Sequence, residues 1–204
     1  TLLDKVNGKL GGQNSVVDPY YIREHVPTVK MSQTMVVGID VNHPGATEKV
    51  LSSVAAAVGS YDATMSSYTA SIRVQRKERD EMVRQIGDMI RELLDEYYKH
   101  NNKTYPKNVI IFRDGVSEGQ FEKVITIELK SIRDALAQVQ KQTKLTCVVV
   151  QKRHHTRFAR TTPVAVGQKL TYNVASGTVV DTMIVEPNIE GFLLNSHYSQ
   201  LVCH

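Results

Sequence analysis

Two acidic residues stand where a carboxylate is costly unless something uses it. Asp40 follows the apolar run "MVVGI" directly, and Asp114 stands where the run "NVIIF" (108 to 112) is stopped by Arg113, Asp114 and Gly115, so both emerge from segments suited to a protein core. A carboxylate in or at the end of such a segment needs a compensating partner. The ends of neighbouring strands in α/β sheets lie side by side and carry ligand sites, so the two acids could share one cation. A pair of carboxylates a few Å apart repels unless a divalent ion is bound, and oxygen ligands of this hardness favour Mg²⁺ or Mn²⁺. Two such ions, roughly 4 Å apart, can activate a water and stabilise the leaving oxygen of a phosphodiester. That chemistry needs a further acid, and Glu81, placed at the first turn of an expected helix, is the candidate. Each acid alone also has a plainer reading: Asp40 and Asp114 as turn formers or caps, with Asp114-Gly115 a turn signal, and Glu81 as a carboxylate favoured by a helix dipole.

The basic residues fall in two groups. Lys5 and Lys9 are four apart and share one side of "LLDKVNGKL" if that stretch is helical. "QKRHHTR" (151 to 157) gathers Lys152, Arg153, His154, His155 and Arg157 just beyond an apolar strand. No cysteine or further histidine has zinc-finger spacing to it, whereas guanidinium groups there suit phosphates. A solvated face or loop remains the plain alternative for both groups.

The elements that must position these residues can be read from periodicity. "TMVVGIDV" (34 to 41), "SVAAAVGSYD" (53 to 62) and "SYTASIRVQ" (67 to 75) predict three successive antiparallel strands. From Asp80 to Lys99 the apolar residues recur at three and four, which predicts a helix. A strand at 108 to 112, a second helix from about Glu118 to Gln140 and a strand at 145 to 151 follow. The strands lack polar interruption, which implies cover on both faces. Three strands, helix, strand, helix, strand is the order of a ribonuclease H-like α/β fold, a mixed central sheet flanked by helices. Gly11 to Lys30 and Arg157 to Ser176 read as loops, and the simplest division is an N-terminal arm, 1 to 33, before one domain, 34 to 204.

Composition sets the bounds. A chain of 204 residues with 41% hydrophobic content can bury a sizeable core. No stretch reaches the roughly 18 apolar residues of a membrane span, and the N-terminus lacks the marks of a signal peptide, so no membrane partner and an intracellular location are expected. Cys147 and Cys203 share no metal or redox spacing and read as small core residues. A net charge of +4 permits an anionic partner without demanding one.

"GIDVNHP" (38 to 44), "SIRVQ" (71 to 75), "MIRELLDEYYK" (89 to 99), "RDGVSEGQF" (113 to 121) and "VVVQKRHHTRF" (148 to 158), in that order and spacing, resemble the PIWI domain of eukaryotic Argonaute proteins. The resemblance runs from "KLGG" (9 to 12) to "GTVVDTMIVEP" (177 to 187) and is closer to the Argonaute branch than to the Piwi branch. It implies small-RNA-guided silencing, in which target RNA paired with a guide RNA is cut by an Asp-Glu-Asp-His set around two Mg²⁺ (or Mn²⁺) ions. Asp40 and Asp114 match the two aspartates, which makes them the metal ligands. Glu81 matches the glutamate if one residue is inserted near Glu78, with Asp80 as fallback. Lys5 and Lys9 fall at the lysines that help bind the guide 5′ phosphate together with a preceding MID domain. Lys152, Arg153 and Arg157 fall in a loop used against the guide backbone.

The resemblance puts the family's histidine on a strand beyond the present C-terminus, with a break in the pattern between His197 and Tyr198, and His204 does not match its position. A C-terminally incomplete PIWI domain is therefore expected. It would have one uncovered sheet edge or face, and cleavage is expected of the full-length protein. The alternative is a module that binds the guide and recruits partners without cutting. Tryptophan-bearing scaffold proteins, the guide-producing ribonuclease and cytoplasmic residence, with the nucleus left open, are further implications.

Overall fold

The computed structural model describes residues 2–45, 52–75, 80–152, 154–167, 169–185 and 190–197. Two compact units divide between Lys152 and Arg153.

The first unit is built on a five-stranded mixed sheet. Its strands are β1 (Thr34–Asn42), β2 (Val54–Ser60), β3 (Tyr68–Val74), β4 (Asn108–Asp114) and β5 (Lys144–Val150), ordered β3-β2-β1-β4-β5. β1 to β3 form an antiparallel meander, and β4 and β5 add to β1 in parallel, so the five predicted strands and the antiparallel direction of the first three hold. α1 (Leu2–Lys9) and α2 (Pro19–His25) precede the sheet. The second lies inside the stretch read as a loop. Asp18 starts it by accepting the Tyr20 N–H at 2.9 Å, with Pro19 in the first helical position where a missing N–H costs nothing.

Between β3 and β4 runs α3 (Ile86–His100), and between β4 and β5 a continuous helical run, with a 3₁₀ turn Glu118–Gln120, α4 (Phe121–Lys123), a π-helical turn Val124–Leu129 and α5 (Lys130–Val139). Ile86, Met89, Ile90, Leu93, Leu94 and Tyr97 bring one stripe of α3 onto Met35, Val37, Ile39, Ala55, Ala57, Val109 and Ile111 of the sheet. Ile132, Ala135 and Leu136 of α5 join the same core. Each fully buried aliphatic side chain contributes roughly 1.5–3 kcal/mol. Gly59 permits the close approach, since a β-carbon there would stand 2.5 Å from Met35 Cε and 3.2 Å from Leu93 Cδ1.

Among the described residues of the first unit both helices pack on one face, and none covers the other. The opposite face keeps Val58, Ile72, Val74 and Phe112 exposed, at 37%, 58%, 72% and 43%. Uninterrupted apolar strands thus reported composition without reporting what covers them. No described helix is long and apolar enough to cross a membrane.

The second unit contains two antiparallel pairs, β6 (Ala159–Val166) with β7 (Lys169–Asn173), and β8 (Thr178–Val180) with β9 (Leu193–Asn195). The first pair corrects the loop expected from Arg157 to Ser176. Its β-branched "TTPVAV" supplies strand propensity, and Gly167, at φ +62°, supplies the turn.

Candidate active site

Strand register explains why the two aspartates meet. β1 and β4 are parallel neighbours with Ile39 opposite Arg113, so the next residue of each strand is Asp40 and Asp114 respectively. Neighbouring strands lie about 4.8 Å apart, and side chains alternate between faces. Ile39 and Arg113 are therefore buried on the helix-covered side, while Asp40, exposed, and Asp114, half-buried, project from the other.

Glu81 reaches the same rim from outside the sheet. The sequence places it in the first turn of a helix, but α3 begins only at Ile86, so the helix-dipole reading falls. The segment before the helix spends its backbone groups elsewhere. Met82 N–H donates to Asp80 Oδ1 at 3.1 Å, Val83 N–H donates to Glu128 Oε1 at 2.8 Å, and the Glu81 carbonyl accepts from Arg113 Nη2 at 2.5 Å. The Glu81 carboxylate is clamped from two sides: Arg113 Nη1 stands 3.2 Å from Oε1, and His43 Nε2 stands 2.8 Å from Oε2. His43 is itself oriented by Ser53 Oγ, 2.7 Å from Nδ1.

The turn after β4 completes the arrangement. Gly115 has φ +87°, the left-handed region that favours glycine, and a β-carbon there would lie 3.0 Å from Glu81 Oε1 and 3.8 Å from Asp40 Oδ1. Two carboxylate oxygens thus converge on one small space beside Asp114. Asp114 Oδ2 pairs with Lys152 Nζ at 2.5 Å. Among the described residues no three His, Cys, Asp or Glu side chains stand together as a ready-made ligand group. The acids facing Gly115 offer carboxylate oxygens, the ligand chemistry hard divalent cations take, and a β-carbon at Gly115 would crowd Glu81 Oε1.

Arg113 and Glu128, absent from the sequence-derived site, hold it together. Arg113 Nε donates to Glu128 Oε2 at 2.9 Å and Nη2 to Oε1 at 3.1 Å, with the two residues 0% and 1% exposed. Burial works against the Arg113 charge, but hydrogen bonds and attraction to Glu128, then to Glu81, outweigh it and raise its pKa above the ordinary value. The available signal was a charge inside each apolar pattern: Arg113 within a core strand, and Glu128 four residues after Val124 and four before Ile132.

The basic residues separate. Lys152 joins the acid rim through Asp114. Lys5 and Lys9 lie four apart on α1, as the helical reading required, and all of its described residues are exposed. Arg157, exposed in the second unit, donates to the carbonyls of His154 and Thr156, both at 2.9 Å. Arg153 and His204 lie outside the described residues.

Comparison with known proteins agrees with this architecture. A family model described as Piwi domain matches residues 1–201. The rice (Oryza sativa subsp. japonica) protein argonaute 3 is 41% identical over 201 residues, covering 97% of this chain and 17% of the rice protein. The chain is also similar to the crystal structure of Kluyveromyces polysporus Argonaute with a guide RNA, at 30% identity and TM-score 0.81, covering 98% of this chain and 24% of that one. The C-terminal lobe of a budding yeast Argonaute matches at 30% identity and TM-score 0.82, over 98% of this chain and 41% of that lobe. The fold is ribonuclease H-like, and the chain belongs to the Piwi domain family of Argonaute proteins.

Proposed function

We propose that this chain supplies the cutting site and part of the RNA-binding surface of a small-RNA-guided silencing protein, hydrolysing target RNA paired to a guide. The observation that carries the reading is the convergence of Asp40 and Glu81 beside the Asp114-Gly115 turn. Membership of a generally metal-dependent, ribonuclease H-like family supports it, as does the guide RNA held by the Kluyveromyces protein.

Asp40 and Asp114 would hold Mg²⁺ or Mn²⁺, with Glu81 completing the acid set. The bound ions would supply water activation and stabilisation of the leaving oxygen. The chain's own part would be to bring Asp40, Asp114 and Glu81 to one end of the sheet, with Glu81 oriented by Arg113 and His43. Lys5, Lys9, Lys152, Arg153 and Arg157 would contact RNA phosphates. Such contacts hold a strand without reading bases, which leaves specificity to guide-target pairing.

The test is single-turnover cleavage of a complementary RNA by the full-length, guide-loaded protein. Losing a metal ligand removes several kcal/mol of transition-state stabilisation, so Asp114→Ala should slow cleavage by about a hundredfold or more while guide binding holds. Undiminished cleavage by that variant defeats the proposal, and target binding without cleavage by the unmodified protein favours the binding-module alternative.

A further inference from the structure

The Arg113–Glu128 ion pair is more than core packing requires. A buried pair of this kind can often be replaced by apolar residues without loss of stability, so stability is a weak explanation for its presence. Its connections point elsewhere. Glu128 uses Oε2 on Arg113 Nε, and Oε1 on both Arg113 Nη2 and the Val83 N–H. Arg113 uses the rest of its fork on the Glu81 carboxylate, the Glu81 carbonyl and the Asp114 carbonyl. Residues 81 to 83 are thus pinned at a carboxylate, a carbonyl and an amide by one buried pair.

Local structure aims Glu128 at this task. It lies in the π-helical turn Val124–Leu129, and Val124, Glu128 and Ile132 are all buried. Side chains four apart on a helix lie one above the other on the same face. Glu128 therefore stays on the inward stripe between two apolar neighbours.

We infer that Glu128 is a positioning residue for the acid site: it fixes the Arg113 fork and the Val83 amide, which together fix Glu81. Glu128 touches neither substrate nor metal and acts only through Arg113 and the 81–83 backbone. The inference rests on the proposed metal-dependent site, and it predicts that Glu128 governs cation affinity from within the core.

The experiment uses full-length, guide-loaded protein with Glu128→Gln, which keeps the shape and removes the charge. Three readouts are needed: Mn²⁺ binding followed by electron paramagnetic resonance, amide exchange at Val83, and cleavage as a function of Mg²⁺. Outer-shell partners of metal ligands typically change affinity by 10–100-fold, so half-saturating Mn²⁺ should rise about tenfold or more. Val83 exchange should accelerate, guide affinity should hold, and cleavage should fall and recover in part at high Mg²⁺.

The double variant R113Q/E128Q removes both buried charges and separates positioning from folding; it also carries the test should the single variant fail to fold. Its melting temperature should stand above that of Glu128→Gln while Mn²⁺ affinity stays weak. Recovery of Mn²⁺ affinity along with stability would overturn the inference, and so would wild-type Mn²⁺ affinity and Val83 protection in Glu128→Gln. Mn²⁺ binding by an unmodified protein that does not cut would remove the cleavage reading and leave the Mn²⁺ and exchange results to decide the positioning role. Absence of Mn²⁺ binding by the unmodified protein would overturn both.

Discussion

Gly115 shows how little tolerance the site has at the residue scale. Its φ of +87° strains any side chain by about 1–2 kcal/mol, and a methyl group would stand 3.0 Å from Glu81 Oε1. Gly115→Ala should therefore lower the melting temperature by several degrees and reduce cleavage beyond that loss, a combination that calorimetry and a cleavage assay would separate. Cys147 offers a second check. Burial first, and the Glu128 charge next, push its thiol up to about 11 from an ordinary 9.0, with Arg113 opposing. The folded state thus binds that proton more tightly than the unfolded chain. Its contribution to stability is fully present below about pH 9 and is lost as pH rises toward about 11, and Cys147→Ser should flatten a denaturation series over that window. The places of Asp40 and Asp114 at the ends of neighbouring strands were legible in the sequence because each acid marks where an apolar run stops, although Asp40 is exposed and bears no burial cost. The charges of Arg113 and Glu128 stood out inside apolar patterns, but neither they nor His43 gave any sign of which partner they would meet.

At the scale of elements, all five strands of the sheet were legible, since apolar β-branched runs with short polar connections leave few alternatives. The boundary that mattered most was not. Periodicity extends the third helix back to Asp80, yet hydrogen bonds to Asp80, Arg113 and Glu128 compete for the backbone groups that helix would need, and it starts at Ile86. That delay frees Glu81 to reach the rim. Helix α2 lies in a stretch whose Asp18 and Pro19 suit a turn as well as a helix start, so composition alone does not separate the two. Asp18→Ala should cost α2 about 1 kcal/mol. Faster amide exchange at Val26, whose N–H donates to the Ile22 carbonyl at 2.8 Å, would register it, and unchanged exchange would contradict the capping account.

For the whole molecule, the sequence conveyed the ribonuclease H-like order, and the resemblance supplied the expectation of an uncovered face. Ile72 and Val74 on the edge strand β3, with Phe112 and Val58 further in, form apolar surface open to solvent on the first unit. Surface of this kind beside a strand edge that no described strand pairs promotes association, so the 204-residue chain alone should self-associate at micromolar concentration. Ile72→Thr with Val74→Lys should reduce it in sedimentation velocity, and a concentration-independent monomer for the unmodified chain would refute the expectation. The account as a whole depends on carboxylates from separate strands sharing divalent ions at one rim of the sheet. Anomalous diffraction from crystals of the full-length, guide-loaded protein soaked in Mn²⁺ tests this most directly. Manganese peaks bridging Asp40 and Asp114 are the predicted result; manganese bound elsewhere, with those two carboxylates free of it, would contradict the account.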